Sequence, residues 1–255
     1  MLRPTLSRFH LVAIFALLIG ALMLALHQFL FFAVAIILFI AIVGLGVVFP
    51  QLSFFGKFIC RGKNSQRCAA LTFDDGPDAN STPQLLDLLK ETKIVAAFFC
   101  VGERVAANPE LAARIVREGH LLQNHSYAHS NFTNFFSVVR LKADLMRTQT
   151  AIQEATGIVP QFFRPPMGLS NRRVFRAAQE LNLKVIGWST RGLDTQISDP
   201  QRIVERIVRR LKPGAIILLH DGNIPAGRLL TTVKLLLATS HERGYDVVRL
   251  DKLLK

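Results

Sequence analysis

The chain has 255 residues, half of them hydrophobic, and 31 Lys and Arg against 18 Asp and Glu. This composition excludes a disordered or fibrous protein, and three cysteines (Cys60, Cys68, Cys100) exclude a disulfide-built scaffold. Charge is placed unevenly: residues 9–56 contain no Asp, Glu, Lys or Arg, while every acidic residue and 29 of the 31 basic ones lie from Lys57 onward. The pattern predicts a membrane anchor over 1–56 and a basic globular domain over 57–255, long enough for its own core. Cys60 and Cys68 either pair in an oxidising compartment or stay as free thiols.

Residues 11–49 are nearly unbroken Leu, Ile, Val, Phe and Ala. One helix of that length would run roughly 60 Å, twice the ~30 Å hydrocarbon core of a bilayer. Two spans fit better, broken at His27-Gln28, the adjacent polar pair in the run. A secretory signal peptide fits poorly, because the run is too long and no small-x-small cleavage site ends it. Arg3 and Arg8 precede the run, Lys57, Arg61, Lys63 and Arg67 follow it, and its centre has no charge. The positive-inside bias then places both flanks, and the globular domain, on the cytoplasmic face of a bacterial-type inner membrane. A single span would instead place the domain in the periplasm.

Beyond the basic juncture, β-rich runs at 69–73, 94–101, 121–124, 161–164, 184–188, 215–219 and 246–249 alternate with helical patterns at 83–91, 109–118, 137–156, 172–181, 200–211 and 227–243. This alternation predicts a parallel β/α architecture. The polar residues that could do chemistry follow the strands, and in a β/α barrel those positions face the active-site end.

After the first strand comes Thr72-Phe73-Asp74-Asp75-Gly76-Pro77. Adjacent carboxylates can divide their work, one binding a cation while the other takes a proton; an ordinary acidic turn reads the same way. After the third strand, His125 and His129 stand four residues apart, a spacing that puts two imidazoles on one side of a helical turn. With one Asp oxygen they supply three protein ligands and leave a position for water. Arg164-Pro165-Pro166-Met167-Gly168 follows the fourth strand, where prolines stiffen the backbone around an arginine and an N–H. The sixth strand ends in Leu218-Leu219-His220-Asp221, offering a proton donor above an apolar strand. Asp194, after Trp188 on the fifth strand, is placed to orient either Arg164 or His220.

In this order and at these strand ends, TFDDGP, H-S-x-x-H, R-P-P-x-G and L-x-H-D resemble the NodB-type polysaccharide deacetylases, carbohydrate esterase family four, over residues 69–250. The resemblance implies an α/β fold, a distorted (β/α) barrel, here preceded by a transmembrane helical hairpin. It implies one divalent metal, zinc first and cobalt or another ion next, and removal of acyl groups from sugars. Carried across by motif, Asp74 is the general base, Asp75, His125 and His129 are metal ligands, Arg164 is the motif arginine and His220 the general acid. Asp194 is the orienting acid, Leu218 an apolar wall of the acyl pocket, and Met167 supplies an oxyanion-binding N–H. The chain departs from the family where many members have Asp-x-x-Asp-Trp: it has Arg191-Gly192-Leu193-Asp194-Thr195, with an arginine for the first acid and no aromatic.

These features predict a metal-dependent hydrolase that removes an N-acyl group, acetyl first, from an amino sugar. A lipid-linked or envelope precursor, such as a polyprenyl-phosphate sugar, suits the anchor and the basic domain. The family's deformylase of an undecaprenyl-phosphate amino sugar is a parallel. A periplasmic peptidoglycan or exopolysaccharide deacetylase is the alternative, and an inactive sugar-binding or scaffold protein is the alternative of another class. Membrane lipids are expected partners; nucleic acid is not, since no DNA- or RNA-binding module is visible.

Overall fold

The computed structural model describes residues 7–63 and 67–255; Arg3, one of the flanking charges, lies outside them. Two helices open the chain, α1 (Arg8–Ala25) and α2 (Phe29–Val48). They part at the polar pair, where His27 takes a left-handed φ of 53°. Both are long and apolar enough to cross a membrane. They pack along each other, with Gly20 leaving room for the Phe32 ring, and their outer faces expose side chains such as Phe15, Leu17 and Ile37.

The rest of the chain runs β1 (Cys68–Asp74), α3 (Thr82–Glu91), β2 (Ala97–Cys100), α4 (Gly102–Ala107), α5 (Pro109–Arg117), β3 (Leu121–Asn124), α6 (Val138–Thr156), β4 (Phe162–Phe163), α7 (Arg172–Glu180), β5 (Lys184–Val185), β6 (Thr190–Arg191), α8 (Pro200–Arg209), β7 (Ala215–His220), α9 (Ala226–Glu242), β8 (Asp246–Val247) and α10 (Leu250–Leu253). The strands form one parallel sheet in the order β5-β4-β3-β2-β1-β7-β6, with β8 pairing the start of β1. The sheet curls into a distorted, open barrel. β1 sits at its centre and is buried at all seven positions, as a strand covered on both faces must be. Around it, α3, α8 and α9 press Leu85, Leu89, Ile203, Ile207, Val233 and Leu236 onto one continuous core.

Proline at the first helical turn starts α3, α5 and α8, where the missing N–H costs nothing. Asn171 caps α7 by accepting from the N–H groups of Arg173 and Val174, and Asp199 caps α8 by accepting from Gln201. The edge strands β5 and β6 do not pair with each other. The segment after the hairpin lies along that seam: Ile59 N–H donates to Val185 O (2.9 Å), Ile59 O accepts from Gly187 (3.0 Å), and Gly62 N–H donates to Gly214 O (2.8 Å). The hairpin's two ends also meet at the barrel, where Phe9 N–H donates to Phe54 O (3.1 Å) and Arg8 Nη1 to Leu52 O (2.7 Å).

Three local expectations change. The runs at 94–101, 161–164, 184–188 and 246–249 contribute only Ala97–Cys100, Phe162–Phe163, Lys184–Val185 and Asp246–Val247 to the sheet. The two-residue strand β6 and the short helix α4 were not visible in the hydrophobic pattern. His125 and His129 do not sit on a helical turn: residues 125–130 form a loop, in which Ser126 (φ 67°) and His129 (φ 47°) are left-handed.

Candidate active site

The C-terminal ends of β1, β3, β4 and β7 surround a cavity of about 260 Å³. Asp74, Asp75, His125, His129, Met167, Leu218 and His220 all line it, together with Gly168, Trp188, Arg191, Leu193, Thr195 and Gln196. Parallel register explains the convergence: Asp74 stands beside His220 on β7 and beside Phe99 on β2, so side chains distant in sequence leave the sheet at one level.

Asp74 and Asp75 point differently because Asp75 takes a left-handed φ of 72°, a conformation costing a non-glycine residue about 1–3 kcal/mol. Gly76 then packs under the carboxyl of Asp221, where a Cβ would collide with both carboxyl oxygens. The glycine is required by this close approach and not only by the turn. Asp221 is fully buried, with Oδ2 accepting from the Thr82 hydroxyl at 2.6 Å. Burial first, and then the charges of Asp75 and Asp74, raise its carboxyl to about 7. The position of Asp221 at the end of β7, next to His220, was the sequence signal for it, but its role as a brace under the Asp-Asp loop needs the fold.

Asp75, His125 and His129 present ligand atoms within 4.8 Å of one another. Asp75 Oδ1 lies 3.2 Å from His129 Nε2 and 3.4 Å from His125 Nε2, and it is buried without a hydrogen-bond partner. The His125 Nδ1 is 2.7 Å from Arg164 O, an acceptor, so Nδ1 carries the proton and the Nε2 lone pair faces the cavity. Lone pairs converging on an orphaned carboxylate oxygen fit a divalent cation, and an O/N/N donor set suits zinc and its neighbours.

Arg164 is buried completely, and its Nη1 lies 2.5 Å from Asp74 Oδ1. The same guanidinium donates to Thr72 Oγ1 (3.0 Å) and Gly187 O (3.0 Å) and lies 4.0 Å from the centre of the Phe99 ring. Asp194 pairs with His220 and not with Arg164: its Oδ2 accepts from the His220 N–H (2.8 Å), and its Oδ1 is 3.0 Å from Nδ1. Burial works against the imidazolium, yet the Asp194 carboxylate, helped by Asp74 and Asp75, raises His220 to about 9.

Met167 adopts φ 56° and is half-exposed at the mouth of the cavity, and Leu218 is buried in its wall. Gly168 (φ 68°) lies against the Trp188 ring, with no room for a Cβ. Trp188, Leu193 and Gln196 complete the wall, and only their places after β5 and β6 hinted at this. Arg191 stands at the rim, its guanidinium 5.6 Å from the Trp188 ring centre. The three thiols are free: Cys68 and Cys100 are buried and Cys60 is half-buried.

The family model for polysaccharide deacetylases matches residues 61–186. A peptidoglycan-N-acetylglucosamine deacetylase of Bacillus cereus is 34% identical over 194 residues, covering 75% of this chain and 90% of that protein. The peptidoglycan-N-acetylglucosamine deacetylase PgdA of Listeria monocytogenes is 34% identical over 193 residues, but the match spans only 40% of its length. Among solved structures, a CE4 family pseudoenzyme from Bacillus anthracis superposes with a TM-score of 0.72 at 28% identity, over 78% of this chain and 69% of that one. Barrel, motifs and relatives agree: the chain belongs to the polysaccharide deacetylase family and is a hydrolase of the CE4 type.

Proposed function

We propose that the cavity removes the acetyl group from an N-acetylated amino sugar, at a membrane surface reached through the α1–α2 anchor. In this reading residues 1–56 are the anchor and 57–255 the catalytic domain. The observation that carries it is the meeting of an arginine-held carboxylate, a cation-binding triad and an aspartate-held histidine around one cavity. A divalent ion held by Asp75, His125 and His129, zinc or cobalt, would supply Lewis-acid polarisation of the acyl carbonyl and a more acidic water.

Asp74 accepts the proton of the attacking water. Arg164 engages its Oδ1 and leaves Oδ2 for that work. The Met167 N–H stabilises the oxyanion as the carbonyl carbon becomes tetrahedral. Leu218 walls the methyl group. His220, its Nδ1 proton held by Asp194, donates from Nε2 to the leaving nitrogen as the C–N bond breaks. Acetate and a free amino sugar result. Asp74, held by Arg164, and His220, held by Asp194, form the base–acid pair.

For the substrate, the favoured reading is a lipid-linked, phosphate-bearing amino sugar on the cytoplasmic face. Arg191 at the cavity rim supports it, since no carboxylate pairs with this side chain among the described residues. Burial first, and then the charges of Arg206 and Arg210, lower the Arg191 pKa, and a phosphate at the rim would offset that repulsion. The second reading is peptidoglycan N-acetylglucosamine on the outer side, supported by the names of the Bacillus and Listeria relatives. A C-terminal fusion at Lys255 separates them. Alkaline phosphatase should be inactive there and a cytoplasmic fluorescent protein bright; strong phosphatase activity would reject the cytoplasmic reading.

A further inference from the structure

A second cleft, of about 1120 Å³, lies where the hairpin meets the barrel, and it shares no lining residue with the catalytic cavity. Arg8 and Lys57 line it from the anchor side, and Arg172, Arg173, Arg176 and Lys184 from α7 and β5. Among the described residues no Asp or Glu lines it. The adjacent carboxylate, Glu180, bonds Arg176 (3.2 Å) and Lys142 (3.4 Å), leaving the other five charges of the cleft uncompensated. Two of the arginines are aimed by backbone carbonyls, which orient a guanidinium without neutralising it: Arg8 by Leu52 (2.7 Å) and Arg173 by Asn134 (3.0 Å). Pre-set guanidinium forks and ammonium groups with no anion of their own are the chemistry that holds a phosphate.

The place of the cleft says which phosphate. It opens where α1 begins and α2 has just ended, with the Arg172 guanidinium 5.4 Å from the Phe9 ring centre. That is the level at which two membrane-crossing helices leave the hydrocarbon layer. Beside it, the loop holding Asn134 exposes Phe132 and Phe135, and Val139 is exposed at the start of α6, next to the cleft-lining Val138. Large apolar side chains flanking a cationic cleft suit acyl chains next to a headgroup; a free phosphate ion has no use for them.

We infer that this cleft seats the phosphate headgroup of an anionic phospholipid and so docks the barrel against the leaflet on its own side of the membrane. The inference rests on α1 and α2 crossing the bilayer. Full-length protein in mixed micelles of phosphatidylcholine with a minor fraction of phosphatidylglycerol tests it, with bound lipid counted by native mass spectrometry. The wild type should retain phosphatidylglycerol selectively. Arg172→Gln/Arg173→Gln and, separately, Lys57→Gln/Lys184→Gln should weaken retention by about fivefold for each charge removed, while acetate release from a soluble oligosaccharide is kept. Equal retention of both lipids, or undiminished retention in both variants, overturns the inference. Displacement of phosphatidylglycerol by inorganic phosphate would make this a free-phosphate site and overturn the lipid assignment. A carbonate wash of membranes reads the anchor separately: release of the protein overturns the anchor and the docking with it, whereas a resistant protein without lipid preference overturns the docking alone.

Discussion

Arg164 and Asp74 form an ion pair inside the barrel: the arginine is wholly buried, and its Nη1 lies 2.5 Å from the aspartate Oδ1. A buried cation and a buried carboxylate each lose hydration worth several kcal/mol, and each is tolerable because of the other. Removing one partner leaves the other uncompensated. Arg164→Met should therefore cost about 3–5 kcal/mol of stability, and Asp74→Asn combined with Arg164→Met should be more stable than Arg164→Met alone. Thermal unfolding of the wild type, the two single variants and the double variant in one detergent checks the cycle; simply additive losses would contradict the pairing.

Asp74 touches the cavity but is not among the three clustered ligand atoms. Asp74→Asn should keep its metal and lose about 10²–10⁴-fold in turnover. Metal content and acetate release, measured on the same folded sample, decide this. A metal-free variant, or one with near-normal turnover, would mean that the two carboxylates have exchanged roles.

The imidazole of His220 is raised to about 9 by Asp194 against the opposing effect of burial. As a proton donor it stays charged through neutral pH, so the alkaline limb of the rate profile should fall near 9. Asp194→Asn removes the anion that sustains the charge, and the limb should move down toward the ordinary histidine value of about 6.5. The linkage to stability has the same sign. A raised pKa in the fold contributes stability in full below about 6.5, and that contribution is lost as pH rises through about 9. An unmoved limb in the variant would remove Asp194 from this role.

Arg191 should act on substrate choice and leave the chemistry alone. Arg191→Ala is expected to raise KM for a prenyl-phosphate amino sugar by about tenfold, the loss of one charge-assisted contact of 1.5 kcal/mol or so, with little change for a neutral oligosaccharide. Steady-state kinetics on both substrates checks this. Equal effects on the two would return the arginine to a plain structural role.

Much of this arrangement was readable from the chain. The break of the hairpin followed from one polar pair in an apolar run, because a bilayer fixes how long a span can be. The strand ends carrying Asp74, Asp75, Arg164 and His220 stood out because β-rich runs precede them. What the chain could not give was set by backbone conformations and contacts distant in sequence. The loop that brings His125 to His129 depends on left-handed φ angles at Ser126 and His129, which no apolar period encodes. Whether Asp194 serves Arg164 or His220 depended on the register of β6 against β7, and β6 is only two residues long. The close packing of Asp221 on Gly76, and of Trp188 on Gly168, likewise exists only once the barrel has closed around them.

Acetate release by the purified full-length protein, stripped of metal and then reloaded, tests the account at its centre. Orphaned Asp75 Oδ1 and the two facing imidazoles require that the stripped enzyme be inactive and that zinc or cobalt restore it. A His125→Ala/His129→Ala variant should fail under every metal tried. Full activity in that variant would contradict the site itself.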